Sequence, residues 1–381
     1  MTDIHDLHAE GQALVRQVIA FVDDEVVPAA RRSDAAGEYP EALVARMKQI
    51  GLFRSSEMSL PVYAMIHEEI GRGWISLAPI LNAHGSMVWA ITSHGTAEQR
   101  EKLLPELLTG DRTAALALSE PAGGTDLGAV RSTAIDVGGK LKIDAHKTFI
   151  THSRHADLLL MLVRTDSNSE SGHRGLSLVI LESGEWEVVR DLGKLGSRAV
   201  ETCELRVTDQ HVPVDRIVGG VPGRGFAQVM DCLEVGRIAV AAAAIGVGRA
   251  ALHAAAQRST VREAFGKPIA DFQNVTTALG KAAIRLKAAR ALLMQAVAEK
   301  QRGGRHDAVT SAAKVFAAET AVDTALAAME IHGGSGYLTE NDPERFLRDA
   351  TLYLAGEGAN SVLTDLVGRR LVTGGLPPEW I

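Results

Sequence analysis

Residues 114–222 read differently from the chain on either side, and that change of period is what most constrains the fold. Short β-branched and aliphatic runs begin at Ala114 and alternate with turn residues. They include Lys140-Leu141-Lys142-Ile143, Lys147-Thr148-Phe149-Ile150-Thr151, Leu158 to Val163, Leu176 to Leu181, Trp186 to Val189 and Cys203 to Val207. Val137-Gly138-Gly139-Lys140 reads as a hairpin turn. This spacing predicts a small antiparallel β domain, a sandwich or barrel. Asp166 to Arg174 reads as a polar loop within it.

Helical periods occupy both flanks. On the N-terminal side they predict helices over 3–32, closed by Pro28, over Pro40–Ile50 with Gly51 past its end, from Leu60 through Gly71, and over Leu77–Ser93. Thr96-Ala97-Glu98-Gln99 is a capping-box start to a further helix ending at Leu108, before Gly110. Beyond Gly223-Arg224-Gly225 come Phe226–Arg258, Asp271–Arg302, Asp307–His332 and the segment after Glu357. Four long helices with short connections predict an antiparallel four-helix bundle. The expected class is therefore α+β, mainly α, in three parts: a helical domain over 1–113, a β domain over 114–222 and a helical bundle over 223–381.

Composition narrows the function classes. A net charge of −7 argues against nucleic acid as a main partner. Aromatics are only 4% of the 381 residues and alanine is abundant after residue 239, which suits close-packed helices. Cys203 and Cys232 have no metal-type spacing, and His84, His94, His146, His152 and His155 form none either, so no metal site is expected. Reduced thiols and a polar start without a secretory pattern predict a cytoplasmic protein. The longest apolar run, Ile238 to Val247, is about half what a bilayer crossing needs, so no membrane span is expected.

Five stretches have residues suited to chemistry. Glu357 stands between Gly356 and Gly358, after the apolar run Leu352-Tyr353-Leu354-Ala355. A carboxylate held among apolar neighbours has a raised pKa, which suits a general base or acid; a surface Glu in a loop is the bland alternative. Leu118 to Asp126, containing Ser119 and Thr125, can face a polar ligand with its backbone and hydroxyls, or be a plain turn. Phe149 and Thr151 can stack on and hydrogen-bond a flat cofactor, although core packing explains Phe149 equally well. Arg262 to Ile269, followed by Gln273, places an arginine where it can meet a phosphate, or is an ordinary exposed connector between two helices. Glu330 to Tyr337, with Gly333 and Gly334, is glycine-rich but follows a helix, so the dinucleotide fingerprint does not apply.

In this order these stretches resemble the acyl-CoA dehydrogenase family over essentially the whole chain. The resemblance implies non-covalent FAD, a homotetramer built as a dimer of dimers, and α,β-dehydrogenation of an acyl thioester in fatty acid metabolism. The thioester carrier would be CoA or an acyl carrier protein, and electrons would pass to an electron-transferring flavoprotein. Glu357 matches the family's catalytic base. Ser119 and Thr151 match positions that hydrogen-bond the flavin ring, with Phe149 the aromatic beside it and Thr125 in the same loop. Arg262, Phe265 and Gln273 match residues at the FAD pyrophosphate and adenine side, often across a subunit interface. Gly333 and Gly334 match closely approaching backbone of that site. Glu234 and Arg237 match a charged pair on the helix lining the acyl-CoA channel, and Gly356 and Gly358 flank the base at the substrate.

Some families of this fold place the base just before the residue equivalent to Arg237; here that residue is Gly236, which favours Glu357. Three departures stand out. Gly356 replaces a frequent Tyr, Ala359 replaces the usual Thr, and Glu330 replaces a common Gln near the cofactor phosphates. The segment Gly51 to Leu60 is also about ten residues short, which predicts an open pocket mouth. Two other classes fit the same plan: a flavin-dependent oxidase or monooxygenase, and a non-catalytic scaffold without flavin.

Overall fold

The computed structural model describes residues 4–166, 169–376 and 380. The start Met1–Asp3 lies outside them, as do Ser167 and Asn168 of the polar loop and residues 377–379 and 381.

The N-terminal helices are α1 (Ala9–Phe21), α2 (Val27–Ala36), α3 (Glu41–Ile50), α4 (Leu60–Gly73), α5 (Leu77–His94) and α6 (Ala97–Thr109). Pro28 does not close the first segment. It sits in the first turn of α2, where its missing N–H is tolerated, and a π-helical turn over Val22–Val26 joins α1 to α2. The capping box at α6 forms as its residues predict: Thr96 Oγ1 accepts from the Gln99 N–H at 3.2 Å, and Gln99 Oε1 accepts from the Thr96 N–H at 3.0 Å.

The strands are β1 (Ala114–Ala117), β2 (Thr133–Val137), β3 (Lys140–Thr151), β4 (Leu158–Arg164), β5 (Leu176–Glu182), β6 (Glu187–Asp191) and β7 (Thr202–Pro213). They form one sheet in the order β1-β4-β2-β3-β7-β6, with β5 also on β4. Pairing is antiparallel except for β1 on β4 and a single pair between β2 and β4. Gly138 and Gly139 both take positive φ, as the two-residue β2–β3 hairpin requires. Strand β4 is apolar from Leu158 to Val163 and buried on both faces there. Leu158, Leu160 and Leu162 face a core with Met87, Ile91 and Leu107 of α5 and α6. Leu159, Met161 and Val163 face a second core inside the curled sheet.

The C-terminal part holds α7 (Gly225–Val261), a two-stranded ribbon β8 (Glu263–Ala264) and β9 (Lys267–Pro268), α8 (Gln273–Gln301), α9 (Asp307–His332), α10 (Pro343–Ala350) and α11 (Asn360–Val372). The short α10 is absent from the sequence reading. By length and composition α7 would pass for a membrane crossing, yet most of that apolar stretch is buried against its neighbours as a core helix. Its small residues let α4 approach very closely. A Cβ on Gly71 would lie 2.3 Å from the Ala243 carbonyl oxygen, and one on Gly246 would lie 2.0 Å from that of Glu68. One core cluster therefore runs from α1–α5 into the bundle. The sheet, α4, α5 and α7 converge where Glu357 sits.

Candidate active site

Glu357 occupies the turn between a 3-10 segment, Thr351–Leu354, and α11. Its φ of 55° is unusual for a residue with a side chain, and Gly358 follows at φ 102°. Two buried cations fix this turn from behind. Lys314 Nζ of α9 donates to the Gly358 carbonyl at 2.7 Å and to Asn360 Oδ1 at 2.8 Å. Arg237 Nε of α7 donates to the Glu357 carbonyl at 3.4 Å. The turn thereby aims the carboxylate the other way, across α7. There Gly236 makes room: a Cβ at that position would lie 2.9 Å from Glu357 Oε2. Asn82 Nδ2 of α5 donates to Glu357 Oε1 at 2.6 Å.

Burial raises the Glu357 pKa above its ordinary 4.5, while the Asn82 hydrogen bond and the charges of Arg237 and Lys314 pull it back. The net direction is upward, so the carboxylate is a stronger base than one in water. Burial in turn pushes Lys314 down to about 8.

The Glu357 side chain borders a cavity of about 180 Å³. His67 of α4, Pro79 and Asn82 of α5, and Ala239 and Val240 of α7 form its inner wall; Phe149, Thr151, Lys194, Ser197 and Thr202 form the wall on the sheet side. Phe149 lies within a register irregularity of β3, between Lys147 and Ile150. The irregularity gives it φ 60° and leaves the ring 68% exposed, so core packing does not explain this aromatic. Thr151 Oγ1 lies 3.2 Å from Thr202 Oγ1. Lys194 Nζ donates to the Val200 carbonyl and to Thr202 Oγ1, the latter at 3.1 Å. Burial lowers the Lys194 pKa to about 8. The 193–202 segment is held down by Asp349 of α10, which accepts from the Ser197 N–H at 2.8 Å.

The cavity thus gathers Glu357, Gly356, Phe149 and Thr151 from the residues singled out by sequence. Others lie elsewhere. Ser119 is half-buried and Thr125 exposed, both off the lining. Gly358 and Arg237 stand behind the turn. Glu234 is buried in a separate network, 2.7 Å from Lys300 Nζ and accepting from the His306 N–H, and makes no direct ion pair with Arg237. Arg262, Phe265, Gln273, Glu330, Gly333 and Gly334 are all exposed on the bundle. No residue of 51–59 lines the cavity.

Sequence reading missed Asn82, His67, Lys194 and Lys314. A weak signal existed for two of them: Asn82 and Lys314 are polar interruptions in apolar helical runs, Ala78-Pro79-Ile80-Leu81-Asn82 and Ala312-Ala313-Lys314-Val315. A larger cavity of about 420 Å³ lies between α1, α4, α7 and α8. Four of its charged groups are paired with one another, Arg249 on Glu68 and Glu69 and Arg290 on Glu68, and Lys287 also lines it.

Comparison with known proteins agrees with this plan. Family profiles described as acyl-CoA dehydrogenase N-terminal, middle and C-terminal domains match residues 8–111, 115–210 and 223–372. An acyl-CoA dehydrogenase of Bacillus subtilis is 34% identical over 95% of this chain and 98% of its own length. The butyryl-CoA dehydrogenase structure from Megasphaera elsdenii superposes with a TM-score of 0.92 at 29% identity, covering 98% of this chain and 99% of that one. A prolyl acyl carrier protein oxidase structure gives 0.91 at 26%, covering 96% and 99%.

Proposed function

The chain belongs to the acyl-CoA dehydrogenase family of oxidoreductases, and we propose that it removes the α-proton of an acyl thioester with Glu357, in an α,β-dehydrogenation for which FAD would be the hydride acceptor. The observation carrying this reading is the Glu357 carboxylate, with a raised pKa, hydrogen-bonded to Asn82 and bordering the same cavity as the outward Phe149 ring.

Glu357 takes the proton, and Asn82 and the open face of Gly236 hold its carboxylate in place for that. Negative charge then develops on the thioester oxygen, which needs preorganised donors. The Glu357 N–H donates to no described residue and is free for that oxygen. Lys314 and Arg237 keep the turn from rotating as charge moves. Tight packing of α4 against α7 keeps water out below the cavity.

The residues present fit a flavin. An outward aromatic at a strand irregularity, beside Thr151 on an open cavity, suits a flat ring system. Phe149, Thr151 and Ser119 would hold the ring, with Thr125 in the loop beside it; bound FAD would supply the hydride acceptor. Arg262, Phe265, Gln273, Glu330, Gly333 and Gly334 would serve the pyrophosphate and adenine end. All are exposed in the single chain, and Phe265 (95%), Tyr337 (78%) and Ile284 (71%) expose large apolar side chains on the same bundle. This is consistent with a homotetramer in which one subunit completes its partner's site. Gly356 and Gly358 would border the acyl group. The division at 1–113, 114–222 and 223–381, CoA or acyl carrier protein as carrier, an electron-transferring flavoprotein as acceptor and a cytoplasmic setting belong to the same reading.

Anaerobic titration of the FAD-loaded protein with acyl thioesters tests it. Bleaching of the oxidised flavin bands is expected; a yellow protein that no thioester reduces, or one that never holds FAD, contradicts it. The rate should also depend on pH. Only ionised Glu357 accepts a proton, so reduction should rise with pH through an apparent pKa above 4.5, measured by stopped-flow absorbance.

A further inference from the structure

Polar atoms on the inner wall of the cavity have nothing to bond. His67 and Asn82 line it and are 1% and 9% exposed. His67 Nδ1 and Asn82 Oδ1 have no hydrogen-bond partner among the described residues. Burial lowers the His67 pKa to about 3, so the ring is neutral and keeps one N–H donor. Leaving a buried polar group unpaired is destabilising. An apolar side chain at 67 would avoid that, since Ala78, Pro79, Ala239 and Val240 share the wall and the Tyr63 ring lies 4.5 Å from the imidazole. The imidazole N–H is therefore available to a group bound against this wall.

The depth of the cavity limits what that use is. Beyond His67 the α4 and α7 backbones touch at Gly71 and Ala243 and again at Glu68 and Gly246. On the other side of His67, Tyr63 packs onto Val235 and Ala239. An extended alkyl tail therefore has no way between α4 and α7. An anionic group would meet the Glu357 carboxylate, while Lys314 and Arg237 are engaged with the carbonyls behind the turn and Lys194 on the sheet-side wall donates to the Val200 carbonyl and Thr202 Oγ1.

We propose that the acyl group is short and bears an uncharged hydrogen-bond acceptor, a carbonyl or hydroxyl oxygen at or just beyond the γ carbon, received by the His67 N–H; a hydroxyl there would also donate to Asn82 Oδ1. The γ position follows because the α carbon must reach Glu357. This assignment rests on the dehydrogenase reading, and it names the substrate class.

The test uses S-pantetheine thioesters, the arm common to CoA and carrier protein, titrated into the anaerobic FAD-loaded protein by calorimetry with the flavin spectrum followed in parallel. The isosteric pair is 4-oxopentanoyl and 4-methylpentanoyl, with octanoyl and glutaryl thioesters as contrasts. The 4-oxopentanoyl thioester should bind about tenfold tighter than its isostere, the worth of one net hydrogen bond. His67→Phe should abolish that preference, and His67→Gln should restore part of it. Equal affinities, tightest binding by octanoyl or glutaryl, or a preference that survives His67→Phe in a folded variant would overturn the assignment. If the 4-oxo thioester is preferred but no thioester bleaches the flavin, the dehydrogenase reading falls and the pocket assignment stands. Bleaching without preference gives the converse, and absence of any binding removes both.

Discussion

Glu357→Gln should keep the fold, the FAD and the thioester, and lose flavin reduction by about 10²–10⁴-fold, the usual contribution of a positioned general base. The amide is isosteric, so the turn held by Lys314 and Arg237 is undisturbed. What disappears is the acceptor for the α-proton. Rapid anaerobic mixing separates this from a binding defect, because the thioester should still perturb the flavin bands without bleaching them.

The same substitution should raise stability at neutral pH. The folded protein holds the Glu357 proton above the ordinary 4.5, whereas the unfolded chain releases it there. Between those two values the native state binds more protons, so stability falls as pH rises and stays reduced at higher pH. Gln carries no such titration. Thermal melts of the two proteins should therefore diverge in favour of the variant above pH 4.5 and converge below it. Glu357→Gly should be more stable still, since it also removes the strain at φ 55°. A more stable but inactive protein is the signature of a residue kept for chemistry.

Gly236→Ala carries the second large effect. The new Cβ would stand 2.9 Å from Glu357 Oε2 and 3.0 Å from its Cδ. The Gly236 backbone belongs to the centre of α7 and is fixed, so the carboxylate must move instead and leave Asn82. A displacement of about 1 Å at a reacting group costs on the order of 10²-fold in rate. Alanine in a helix interior is favoured over glycine by about 1 kcal/mol, so stability should hold or rise. Unchanged flavin reduction in this variant would mean that the carboxylate is not used where it lies in this structure.

Local signals in the sequence carried far and long-range ones did not. The Thr96–Gln99 cap and the Val137–Lys140 hairpin depend on residues within one turn of each other, and both formed as their patterns imply. The local signal at Pro28 misled, because a π-helical turn gives the backbone a way through that periodicity does not reveal. The eight-residue α10 is too short for its period to stand out from polar neighbours. Glu357 was legible as a carboxylate between glycines. Its partner Asn82 was not, being 275 positions away on another helix. Glu234 shows the same limit: its contacts, Lys300 and His306, lie on other parts of the chain. One turn of helix separates a wall of the cavity from a buried ion pair, and spacing alone does not fix which neighbour each face meets.

The central claim is that Glu357 moves the α-proton, and exchange of that proton isolates the step from hydride transfer. The substrate for this is an acyl thioester with oxygen or sulfur at the β position, which has no β-hydrogen to lose. The FAD-loaded protein is incubated with it in D2O, and deuterium at the α carbon is followed by mass spectrometry. The account predicts rapid incorporation by the unaltered protein and incorporation near the uncatalysed rate by Glu357→Gln. Equal exchange by both proteins would contradict it and place the base elsewhere.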